Sequence, residues 1–134
     1  MIFSKISRKQ ERFLTKISTE IRIEIIKMIY QAGSGHPAGS LGMADIFTVL
    51  YLDVMKHHPK KPNWSNRDLL ILSNGHICPV LYATLAKTGY FPQSELKNLR
   101  KIDSKLQGHP HFGTLPGIEN SSGPLGQGVS QACG

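Results

Sequence analysis

The amino-acid sequence predicts an α/β fold, an incomplete part of a parallel sheet flanked by helices and mostly helical over these residues. Three observations carry that expectation. Between Glu11 and Ala32 apolar residues recur at steps of three and four, the period of an amphipathic helix. Leu69-Leu70-Ile71-Leu72 is an unbroken apolar run, as expected of a strand covered on both faces. Gly123-Pro124-Leu125-Gly126-Gln127-Gly128 opens into a further helical segment, Val129 to Ala132.

In the first helix Leu14, Ile17, Ile21, Ile25, Met28, Ile29 and Ala32 form the apolar stripe, and Gly33 ends it because glycine adopts the left-handed conformation after a last turn. A loop, Ser34 to Gly39, follows. Ser40 is predicted to cap a second helix running through Ala44, Phe47, Leu50, Tyr51 and Val54 to a solvated end near His57 and His58. Lys60 to Asp68 is polar and interrupted by proline, so it connects that helix to the strand at 69–72. A turn at Ser73-Asn74-Gly75-His76 leads to a helix from about Pro79 to Lys87, with Gly89 beyond its end. Ser94 offers a cap for a short helix through Leu96, Leu99 and Ile102, and Lys105 to Ser122 has no period and reads as a long loop. A buried parallel strand needs neighbours to pair its backbone groups, and none is legible, so the sheet is expected to be incomplete here.

Composition narrows the function classes. The 134 residues are 40% hydrophobic and 19% charged, which suits a folded chain of one ordinary domain. The net charge of +7 is spread over Lys5 to Lys16, Lys56 to Lys61 and Lys97 to Lys105 and does not form the pattern of charge gathered on one face with interleaved aromatics, which argues against a nucleic-acid surface. The apolar runs are too short to span a bilayer, and residues 1–18, a basic extension, lack the apolar core of a secretory signal. Cys78 and Cys133 form no framework pair and read as free thiols of a reducing cytoplasm.

Three short motifs place histidine on loops: Gly35-His36-Pro37, Ser73-Asn74-Gly75-His76 and Gly108-His109-Pro110. In the first and third, glycine allows an unusual backbone angle and proline stiffens the exit, which suits an imidazole that meets a ligand. His76 follows the carboxyl end of the predicted strand, the edge at which open α/β sheets bind ligands. The glycine run at 123–128 lets backbone groups approach a flat ring or an anion, yet it has neither a P-loop ending nor a strand before it. His57-His58 and His109-Pro110-His111 lack the spacing of a zinc site, and no Gly-x-Ser-x-Gly nucleophile motif is present.

Taken in order, Ile21-Arg22-Ile23, Gly35-His36-Pro37, Asn66-Arg67-Asp68, Leu72 to His76, Tyr82, Gly89-Tyr90, Gly108-His109-Pro110 and Gly123 to Gly128 resemble the N-terminal part of transketolases from about Glu20 onward. Leu115-Pro116-Gly117-Ile118 looks closer to the split, two-gene members. The resemblance implies a partial thiamine-diphosphate-binding domain over 19–134. It also implies two-carbon ketol transfer between sugar phosphates in the pentose phosphate pathway, with thiamine diphosphate as carbanion carrier and magnesium at its diphosphate. Carried over by motif, His76 touches the diphosphate end, and Gly123 and Leu125, within the loop that includes Pro124 and Gly126, hold the aminopyrimidine. His36 and His109 face the reacting carbon and the sugar hydroxyls.

Ala38, His111 and Ser122 depart mildly from the family pattern. The metal ligands and the activating glutamate of the family have no counterpart in this sequence. The resemblance therefore implies a catalytically incomplete piece that needs the second half or C-terminal subunit of a dimeric enzyme. A non-catalytic remnant or pseudo-subunit, and another thiamine-diphosphate enzyme of the same superfamily, are the alternative readings.

Overall fold

The structure is a computed structural model that describes residues 6–134. Among the described residues five α-helices follow in order: α1 (Arg8–Ala32), α2 (Pro37–Gly42), α3 (Ala44–Val49), α4 (Cys78–Thr88) and α5 (Gln127–Cys133). α4 lies at the centre. Every residue from Cys78 to Ala86 is buried, as expected of a helix apolar on all sides. α1 lays Ile21, Ile25 and Met28 against it, α3 adds Phe47, and Leu96, Leu99, Leu106, Leu115 and Ile118 close the core from the C-terminal loops. Each such side chain, taken from water, contributes roughly 1.5–3 kcal/mol.

α1 begins earlier than its apolar period, because Ser7 caps it: the Gln10 amide donates to Ser7 Oγ at 3.2 Å. It ends at Gly33, whose φ of 64° is left-handed as expected. Leu14 and Ile17 are buried on this continuous helix, so the boundary placed after residue 18 falls inside α1. α4 likewise stops at Gly89, with φ of 94°.

The second helix departs from expectation. It starts at Pro37, whose fixed φ suits a first helical position, and Ser40 is internal; its hydroxyl donates to the His36 carbonyl at 2.9 Å instead of capping. The helix is divided at Met43, and α3 runs into a π-helical turn, Leu50–Val54, closed by the Met55 amide on the Leu50 carbonyl at 2.7 Å. His57 is not a solvated helix end. Its ring stacks on Tyr90 at 5.7 Å and is bonded to the Tyr90 hydroxyl and to the Tyr51 carbonyl, at 3.1 Å and 2.6 Å.

The predicted strand is a second correction. Among the described residues there is no β-strand, and Leu69–Leu72 is an irregular segment with Leu69 56% exposed. No neighbouring strand pairs with it; the side chain of Asn120 takes that place at Leu72. The parallel sheet is thus not formed in this part of the fold. The short helix expected to start at Ser94 and reach Ile102 is a 3₁₀ helix, Gln93–Asn98, preceded by Pro92. It stops there because Arg100 and Asp103 take positive φ, 59° and 62°, and Ile102 is left exposed.

Candidate functional site

Three turns of chain, all leaving or entering the core, bring the histidines together. His36 is the residue before α2, with non-helical backbone and no capping bond from its side chain, so its imidazole is available. Gly35 takes φ of 149°, with Ile29 of α1 close beneath it. His76 sits in the 3₁₀ turn Gly75–Ile77 at the start of α4. The rings of His36 and His76 meet edge to face, with centroids 5.0 Å apart.

His109 joins them through Gly75. A Cβ on Gly75 would lie 2.9 Å from His109 Cδ2 and 2.6 Å from Ser122 Oγ, so only glycine lets the 109 and 122 loops close over this turn. The segment before His109 is held from below. Tyr82 donates its hydroxyl to the Gln107 carbonyl at 2.9 Å, and the Cys78 thiol points at the Gly108 carbonyl at 3.2 Å. Burial pushes the Cys78 thiol up to about 12 and raises the Tyr82 phenol well above its ordinary value, so both remain protonated donors. Gly108 does not use a positive φ; its role is close approach, with the Arg100 guanidinium lying against it.

The glycine run attaches to the same turn. Ser73 Oγ accepts from the amides of Gly126 and Gly128 at 2.9 Å and 3.2 Å, and a Cβ on Gly128 would lie 2.6 Å from that of Ser73. Gly126 supplies the left-handed turn, φ 89°, that starts α5. Gly123 has open space around its Cα, Pro124 is exposed, and Leu125 is 71% exposed. His36, His76, His109 and the 123–126 loop therefore gather around residues 73–76.

Sequence reasoning did not identify Ser73 or Ser122 as site residues. Ser122 Oγ is buried with no hydrogen-bond partner, directly over Gly75. A buried hydroxyl without a partner costs free energy unless a ligand satisfies it. Together with three imidazoles and backbone exposed by glycine, it suits a polar, anionic, ring-bearing group. Among the described residues no three His, Cys, Asp or Glu side chains gather to hold a metal, and no helix is long and apolar enough to cross a membrane.

The sequence profile of the family described as "Transketolase, thiamine diphosphate binding domain" matches residues 14–134. The chain is 48% identical over 119 residues to transketolase 2 of Escherichia coli K12, covering 88% of this chain and 18% of that protein. It is 48% identical over 120 residues to the transketolase of Buchnera aphidicola subsp. Acyrthosiphon pisum, again 18% of that protein. Transketolase from Leishmania mexicana superposes with a TM-score of 0.85 at 38% identity, over 89% of this chain and 18% of that one. Transketolase from Campylobacter jejuni does so at 0.84 and 43%, over 90% of this chain and 19% of that one. The chain thus spans about a fifth of the length of these relatives, and with a match over 14–134 it belongs to the transketolase family, as part of the thiamine diphosphate binding domain.

Proposed function

We propose that this chain contributes the histidine and glycine-loop side of a transketolase active site, transferring a two-carbon ketol unit between sugar phosphates. The observation that carries the reading is the convergence of His36, His76 and His109 on Gly75, under the unpartnered Ser122 hydroxyl. Thiamine diphosphate, when bound, supplies a stabilised carbanion that carries the two-carbon unit. His76 binds at its diphosphate end, and the backbone of Gly123 and Leu125 meets the aminopyrimidine, with Pro124 and Gly126 shaping that loop. Ser122 satisfies its hydroxyl on the same group. His36 and His109 hydrogen-bond the hydroxyls of the sugar, orient it, and exchange protons with them.

Magnesium belongs to this reading as counter-ion of the diphosphate. The described residues offer no three-ligand cage for it. The remaining part of a transketolase, as a further segment or subunit in a dimer, completes the enzyme, and the unpaired thiols Cys78 and Cys133 support a cytoplasmic setting.

A chimera tests the proposal: residues 14–134 replace the matched segment of Escherichia coli transketolase 2, and ketol transfer from a ketose phosphate to an aldose phosphate is measured. The expected result is an active chimera whose kcat falls about 100-fold in His36→Ala and His109→Ala. His76→Ala weakens thiamine diphosphate binding by calorimetry. A folded chimera in which all three changes leave kcat and cofactor affinity unaltered sinks the assignment.

A further inference from the structure

We propose that Arg100 is a positioning residue that ties the two Gly-His-Pro loops to each other and so sets the spacing of His36 and His109; this rests on the reading of the site given above. Its guanidinium reaches both loops, one residue before the first Gly-His-Pro motif and at the glycine of the second. Nη1 donates to Ser34 Oγ at 3.2 Å, just before Gly35-His36-Pro37. The same group lies flat against Gly108, just before His109: a Cβ there would be 3.0 Å from Arg100 Nε and 3.3 Å from Cζ and Nη2. The backbone at 108 needs no positive φ, and a side chain there would press the guanidinium back by a few tenths of an ångström.

Arg67 and Arg22 are each committed to a carboxylate; Arg100, like Arg8 and Arg12, forms no ion pair among the described residues, and its guanidinium is instead engaged on two loops. Its backbone is also strained, with φ of 59° at a residue that carries a Cβ. The strain is imposed from both sides. Leu99 is buried in the core, and the Arg100 amide is bonded to the carbonyl of buried Leu106 at 2.9 Å, closing the 100–106 loop. The last turn of α1 contains no basic residue, and the guanidinium reaches Ser34, two residues past that helix end, where a cation is favoured. A planar fork can span two loops at once, which a lysine ammonium cannot.

Arg100→Gly is the decisive variant, because it removes the clamp and relieves the left-handed strain together. In the 134-residue chain, hydrogen exchange is expected to rise at Ser34–His36 and at Gly108–His109 together, about tenfold, with the thermal midpoint within about 3 °C of the parent. In the chimera, kcat falls about 10–100-fold with a smaller change in donor KM, since displaced reacting groups cost rate more than binding. Added guanidinium ion restores part of it, and Arg100→Lys is intermediate. Exchange unchanged at either loop, or raised throughout the chain with a falling midpoint, overturns the proposal. An inactive parent chimera would defeat the assigned activity alone, while the exchange result would still judge the clamp.

Discussion

The carboxamide of Asn120 satisfies both backbone groups of Leu72: the Leu72 amide donates to Oδ1 at 3.0 Å, and Nδ2 donates to the Leu72 carbonyl at 3.0 Å. One side chain thus supplies the pairing that a neighbouring strand would. Nδ2 also reaches Gln131 Oε1 at 2.7 Å, which links the segment leading to His76 with α5. Asn120→Leu should leave two buried backbone groups unpaired and destabilise the chain by about 2–3 kcal/mol in urea unfolding. Asn120→Asp keeps one acceptor but turns a carboxylate oxygen toward the Leu72 carbonyl and Gln131 Oε1, so at neutral pH it should cost at least as much. A loss below about 0.5 kcal/mol for the leucine variant would contradict this account.

Gly75 is expected to tolerate no side chain. In Gly75→Ala the new methyl meets Ser122 Oγ and His109 Cδ2 at 2.6 Å and 2.9 Å, so the loops must part. Thiamine diphosphate affinity should fall at least tenfold by calorimetry on the chimera. Gly42→Ala, with nothing within 4 Å of the new atom, serves as the control and should leave affinity and stability nearly unchanged.

The two thiols should differ sharply toward a thiol reagent at pH 8. Cys133 is exposed and reacts at once. Cys78 is buried, and its thiol is pushed up to about 12, so thiolate is scarce and access is blocked. Its labelling should track global unfolding and accelerate in denaturant. Equal rates for both thiols in the folded chain would show that the floor beneath His109 is open.

Arg67 and Glu119 form a two-pronged pair at 2.9 Å and 2.7 Å, with side chains only 18% and 11% exposed. The pair holds the loop before Leu69 to the segment carrying Asn120. Glu119→Ala leaves a half-buried cation uncompensated and should cost about 2–4 kcal/mol. Removing both partners, Arg67→Met with Glu119→Leu, should recover part of that loss. Additive costs in the double variant would argue against a coupled pair.

Acid should loosen the contact between α1 and α3. The Arg22 guanidinium, with the Ser18 hydroxyl, holds the Asp45 carboxyl down at about 2. Because the folded value lies below the ordinary one of 3.8, the stabilisation is complete above that value and is lost as pH falls toward 2. Asp45 is 68% exposed, so screening limits the effect to less than about 1 kcal/mol. Asp45→Asn should flatten the stability profile between pH 4 and pH 2, seen in urea midpoints; an unchanged slope would remove Asp45 from the acid response.

Local rules read α1 and α4 well. The apolar stripe of α1 settles which side is buried, α4 is apolar on every side, and both end at a glycine with positive φ. The helix after Pro37 was less legible, since Ser40 and Pro37 are both start signals and only packing shows which is used. The 69–72 run satisfied the composition of a buried strand, but a strand exists only with a partner, and Asn120, 48 residues away, occupies that place at Leu72. His57 looked like a polar helix end because its partners, Tyr51 and Tyr90, come from separate elements.

By itself the sequence determined the family, the three loop histidines and the glycine run, because each depends on residue types at short spacing that locally shape the backbone. Tertiary structure alone decided that these loops meet over Gly75, that Ser73 and Ser122 belong with them, and that Arg100 lies between Ser34 and Gly108. Contacts between residues tens of positions apart follow from how the helices pack around α4, and no local propensity encodes them.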